Sequence, residues 1–221
     1  MTQDSQRIER DVQAALEAEP ARIAERVRTI TLEALTRGVV DTQALREVTQ
    51  AVLRGAQAAA PRLADGQTEA IKDAVRGLDE ALASAAQATQ LAMQEAIGRS
   101  GEFSREGLKH SVEQLSRLEG DFVAALGDAA RQTSGVAQAT LRDLAEHASN
   151  SGTAVGARVQ TAVLELGHAM SALARAQVDS GMRALGAQAE LLAGMAAGVL
   201  RGLADRLQQD GSAKSAADRD D

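Results

Sequence analysis

Apolar residues recur along this chain at helical spacing, and the spacing changes character at Pro61. Ile8, Val12 and Leu16 form a short stripe with steps of four, which Pro20 interrupts. Ile23, Val27, Ile30, Ala34 and Leu35 continue it up to Gly38, a helix stop. Asp41 then stands where an N-cap belongs, ahead of Leu45, Val48, Val52 and Leu53. Residues 1–60 therefore read as three short helices.

Beyond Pro61, Ile71, Val75, Leu78, Leu82, Ala85, Thr89, Ala92 and Ala96 alternate steps of four and three, as the seam of a coiled coil does. The seam narrows from large side chains to Ala and Thr, so whatever faces its far end must approach closely or bury little area. Gly98-Arg99-Ser100-Gly101 ends it. A second long segment, from about Glu102, carries Leu108, Val112, Leu115, Leu118, Phe122, Leu126, Val136, Leu141 and Leu144, with a bend signalled by Gly127 and by Ser134-Gly135. Asn150-Ser151-Gly152 is a turn signal. The third segment uses Val155, Val159, Val163, Leu166, Met170 and Leu173, then slips phase before Met182, Leu185, Ala189, Leu192, Ala196, Val199 and Leu203, as at a stutter. After Gln208 the periodicity stops and a disordered polar tail is expected.

The predicted organisation is thus 1–60, short N-terminal helices; 61–207, a long-helix bundle; and 208–221, a tail. The fold class is all-α, an elongated antiparallel helical bundle or coiled coil of three long helices preceded by the short ones. Segments of roughly 36 to 55 residues would reach about 55 to 80 Å if straight. The stripes serve equally for burial within one chain or against other copies.

Composition sharpens this picture. Ala supplies 47 of the 221 residues and Phe103 and Phe122 are the only aromatics, so helix propensity is high and the apolar side chains are mostly small. Modest stability is expected. A net charge of −7 opposes a nucleic-acid backbone as partner, since that requires a concentrated basic face. The chain has no Cys, no run of about 18 uncharged apolar residues and a polar start at Met1 to Asp11, from which a cytoplasmic location is expected.

Candidate chemistry is sparse. His110 with Glu113, and His147 with Asp143, share helix faces, but a carboxylate-bridged metal site needs two such pairs with further acids directed inward. A solvated surface is the expected place for both pairs, and an exposed or interfacial one for His168. Ser and Thr are scattered, no strand precedes a Gly-rich loop, and Lys is confined to Lys72, Lys109 and Lys214. No catalytic residue, cofactor or metal is therefore predicted, and the chain reads as non-enzymatic.

Residues 151–204 hold seven charged side chains, Arg158, Glu165, Arg175, Asp179, Arg183, Glu190 and Arg201, so helices there are apolar nearly all round. The predicted contact surface is Leu185, Leu191, Leu192, Gly194, Met195, Gly198, Val199, Leu200 and Gly202. Gly194, Gly198 and Gly202 fall four apart, as do Gly152 and Gly156, a spacing that makes a flat face where two backbones approach.

Gly77-Leu78-Asp79-Glu80-Ala81-Leu82 through Ala96, Gly101-Glu102-Phe103-Ser104, Glu146-His147-Ala148 and Ser151-Gly152-Thr153-Ala154-Val155-Gly156 together resemble an uncharacterised Ala-rich helical family of proteobacteria, over most of the chain. In composition the chain is also similar to phasins, helical proteins that coat polyhydroxyalkanoate storage granules. That likeness implies a structural or interaction protein that forms homo-oligomers and coats an apolar granule or membrane surface. The alternative is a soluble coiled-coil adaptor with a protein partner.

Overall fold

The structure, a computed structural model, describes residues 3–36, 42–63, 66–98 and 105–180. Among these it is all-α, as the periodicity predicts. The helices are α1 (Gln3–Ala18), α2 (Ile23–Thr36), α3 (Thr42–Ala59), α4 (Gln67–Gly98), α5 (Arg105–Arg131), α6 (Gly135–Ser151) and α7 (Ala154–Ser180). Both prolines stand in single 3-10 turns, Pro20–Arg22 and Ala60–Arg62, where a missing amide hydrogen costs little.

The three short helices fall where the stripes place them, and Ile8, Val12 and Leu16 are all buried along α1. On α2 the buried face is shifted. Thr31 and Leu32 are fully enclosed, while Ile30 and Ala34 are only partly covered. The shift follows from packing, because α2 lies against α4 on one side and α1 and α3 on others. Thr31 satisfies its buried hydroxyl by donating to the Val27 carbonyl at 2.8 Å.

The second long segment is not one bent helix. Ser134 and Gly135 (φ 66°) reverse the chain, and α6 returns along α5. Their reversal resets the helical phase, so Val136 stands 52% exposed although its spacing assigns it to the stripe. Ala137, Leu141 and Ala148 carry the buried face instead.

From α1 to α6 consecutive helices run in opposite directions, and α7 continues the direction of α6 along α5. Leu45 and Thr49 on α3, Leu82 on α4 and Leu118 and Phe122 on α5 meet around one small pocket, at similar distances from the intervening turns. Yet the most extensive contacts join non-consecutive, parallel partners, α1 with α3, α2 with α4 and α4 with α7. Glu9 meets Arg54 at 3.1 Å and Glu17 meets Arg62 at 2.6 Å, so α1 and α3 advance together. Arg46 meets Asp121 at 2.8 Å and Gln57 donates to the Ala129 carbonyl at 2.7 Å, so α3 and α5 do the same. Each hairpin of helices thus stacks on the next.

The spine of this stack is α4, whose 32 residues span about 48 Å. Ile71, Val75, Leu78, Leu82, Ala85, Ala92 and Ala96 of the predicted seam are buried, and so are Ala74, Ala81, Ala86, Ala88 and Met93 on its flanks. A helix enclosed on several sides needs small residues, and the Ala content supplies them. Two glycines mark the closest approaches. A Cβ on Gly77 would lie 2.2 Å from the Ala24 carbonyl oxygen of α2, and one on Gly55 would lie 2.5 Å from the Glu9 carbonyl oxygen of α1. The core is continuous from Ile8 to Leu166.

Candidate functional site

The predicted contact residues Leu185, Leu191, Leu192, Gly194, Met195, Gly198, Val199, Leu200 and Gly202 lie outside the described residues, as does the stretch from Met182 to Leu203 in which the phase slip ends. The described part of the same charge-poor region is α7. Its inner face, Val155, Val159, Ala162 and Leu166, is buried, with Val163 and Met170 packed partly against the core. The opposite face presents Ala157, Gln160, Thr161, Leu164, Gly167, His168 and Ser171 to solvent, with Glu165 at its edge. Leu164 is 66% exposed, an apolar side chain among small neutral ones. Glu165 reaches across to α4, accepting from Gln94 at 2.9 Å and from Gln90.

The start of α7 is tied by hydrogen bonds to two other helices. Thr153 is its N-cap, its hydroxyl oxygen accepting from the Gly156 amide at 2.9 Å. A capping box would place Glu or Gln three residues after that Thr. Here the position is Gly156, and the carboxylate arrives from another helix. Glu119 of α5 accepts from the Thr153 hydroxyl at 3.0 Å. Its carboxylate lies where a side chain at 156 would begin, 1.9 Å from an ideal Cβ. The close approach at this glycine is therefore made by a side chain, whereas the fourfold spacing of Gly152 and Gly156 predicts a backbone.

Two further amides of α7 are capped from α4. Asp79 Oδ2 accepts from Ala154 at 2.8 Å and Oδ1 from Val155 at 2.9 Å. A carboxylate at a helix N-terminus is favoured by the aligned peptide dipoles. Burial nevertheless holds the Asp79 carboxyl above the usual Asp value, with Glu119 and Glu80 adding to the rise and the two amide bonds opposing it. These contacts unite Gly77–Leu82 with Ser151–Gly156, two stretches far apart in the chain. The turn signal at Asn150-Ser151-Gly152 places the start of α7 but does not single out Thr153 as its cap. Asp79 and Glu119 are not legible either, because no local spacing signals a partner on another helix.

The histidines stand on the surface. His110 Nε2 lies 2.9 Å from Gln114 Nε2, while Glu113 meets Lys109 at 3.9 Å; His147 Nδ1 lies 3.4 Å from the Ser151 hydroxyl. His168 is exposed on α7. Among the described residues no three His, Asp or Glu side chains gather to hold a metal ion. An open groove of about 500 Å³ runs between α5 and α6, floored by Val123, Gly127, Ala130 and Ala145 and edged by Arg142 and Glu146. Arg131 and Ser149 complete its mixed lining.

The sequence matches a family of unknown function, DUF6781, over residues 1–209. No curated protein and no solved structure matches it.

Proposed function

The chain belongs to the DUF6781 family, and from that premise we propose that it is a non-enzymatic interaction protein, one that self-associates through its long helices and lays the 151–204 region on an apolar granule or membrane surface, as phasins do. The exposed face of α7 carries this reading. A helix whose inner stripe is already buried ordinarily turns charge to water. On α7 the exposed residues from Ala157 to Ser171 carry a single acid, Glu165, which is turned to α4, and Leu164 stands two-thirds exposed among them. Such a face loses little by leaving water. Among the described residues no helix is long and apolar enough to cross a membrane, so contact would be lateral.

A second reading, a soluble coiled-coil adaptor, is favoured by the burial of Val155, Val159 and Leu166, which leaves the inner stripe of α7 already occupied. Light scattering of the full chain, together with flotation on vesicles and partition onto polymer particles, separates the two. The surface role predicts a defined multimer that moves with the particles, and Leu164→Glu reduces that partition without unfolding the protein. A chain that stays in solution beside both particle types excludes the surface role, and one that is also monomeric at all concentrations excludes self-association.

A further inference from the structure

The joint between α6 and α7 combines a hinge with a clasp. Gly152 ends α6 with φ 78° and ψ 176°, donating to the Ala148 carbonyl at 3.0 Å, and is exposed to solvent. Immediately beyond it α7 has no acidic residue in its own first turn. Its free amides are held instead by Asp79 from α4 and by Thr153, which is itself held by Glu119 from α5. The docking of α7 therefore begins at two carboxylates on two other helices.

Their surroundings are unbalanced in charge. The groups that act on Asp79 are Glu119 of α5 and Glu80 of α4 itself. From α7 come two amides and, through Thr153, a hydroxyl; from α2 comes Arg28, whose guanidinium lies 3.9 Å from Glu80. The aligned dipoles at the start of α7 face Asp79 with opposite sign.

We infer that the Asp79–Thr153–Glu119 clasp is a proton-sensitive latch, in which a bound proton favours α7 docked on α4 and α5 and proton loss favours its swing about Gly152. Protonation relieves the burial of a charge and its repulsion by Glu119 and Glu80, at the expense of weakening the bond to one amide. Burial is the largest of these effects and sets the sign. Docked Asp79 binds its proton more tightly than an undocked, solvated Asp79 would, so docking and proton uptake reinforce one another.

Hydrogen–deuterium exchange of the full chain tests the latch without any partner, so its outcome is separate from that of the surface role. After correction for the intrinsic pH dependence of exchange, protection of residues 154–170 relative to α4 is expected to fall several-fold as pH rises from about 4, the ordinary Asp value, towards neutral. Glu119→Gln keeps an acceptor for the Thr153 hydroxyl and removes the like charge, so protection at neutral pH should rise and its midpoint should move to lower pH. Asp79→Asn should flatten the pH dependence. The latch is overturned if wild-type protection does not change with pH, if Asp79→Asn retains the wild-type dependence, or if Glu119→Gln leaves the midpoint where it was. Should Asp79→Asn fail to fold, the wild-type and Glu119→Gln profiles still decide.

Discussion

Gly77 of α4 and Ala24 of α2 approach so closely that a single added carbon at 77 would lie 2.2 Å from the Ala24 carbonyl oxygen. The obstacle is backbone, which cannot rotate aside, so Gly77→Ala must push two helices apart. A loss of about 1–3 kcal/mol is expected. Gly120, within α5, has nothing within 4 Å of the same position. There, Ala gains helix propensity without a clash, and Gly120→Ala should stabilise by roughly 0.5–1 kcal/mol. Urea unfolding of the two variants should therefore move in opposite directions.

Gly156 presents a different obstacle, the end of the Glu119 side chain. That carboxylate can swing away, at the expense of its bond from Thr153. Gly156→Ala should accordingly cost about 1 kcal/mol. In a Glu119→Ala background the same substitution should be neutral or favourable. A coupling energy indistinguishable from zero in this double-mutant cycle would show that the two residues do not share the site.

Two carboxylates should give stability opposite dependences on pH. Asp79 has its folded value raised by burial, so its contribution is complete below the ordinary Asp value and is lost as pH rises through the raised folded one. Glu17 has its folded value lowered by hydrogen bonds from Gln13 and then Arg62, so its contribution is complete above the ordinary Glu value and is lost as pH falls through the lowered one. Urea melts across about pH 3 to about pH 8 should show Asp79→Asn gaining on the wild type as pH rises. They should also show the deficit of Glu17→Gln closing as pH falls. Parallel curves for either variant would contradict its assignment.

Phe122 is the larger risk to the core. It is buried on α5 where Leu45 and Thr49 of α3, Leu82 of α4 and Leu118 of α5 itself converge. Removing its ring leaves a void that parallel helices cannot close independently. Phe122→Ala is expected to cost about 3–5 kcal/mol and Phe122→Leu distinctly less, measured by chemical unfolding.

The sequence made the helices legible wherever large apolar residues kept a regular helical spacing. Ile8, Val12 and Leu16, and the α4 seam from Ile71 to Leu82, are buried as their spacing predicts. Prediction weakened where several neighbours met, as at Thr31 and Leu32, and where a turn reset the phase, as at Val136. The clasp shows the third limit. The turn at Asn150-Ser151-Gly152 could be read locally, but Asp79 acts on amides 75 and 76 residues away and Glu119 on a hydroxyl 34 residues away. Their roles arise from the stacking of hairpins, and a periodic pattern carries no record of which helices stack.

The parallel pairing of non-consecutive helices also bears on how the chain reaches its fold. Ties between α1 and α3 span 45 residues, and those between α4 and α7 span up to 76. A helical hairpin can form on its own, but it closes none of these principal contacts, so each must wait until a third helix has been made. Folding rates follow the sequence separation of native contacts more closely than helix content. This chain therefore combines the local composition of a rapid folder with the contact order of a slower one, and during synthesis its α1–α2 hairpin remains without its main support until α3 and α4 have left the ribosome.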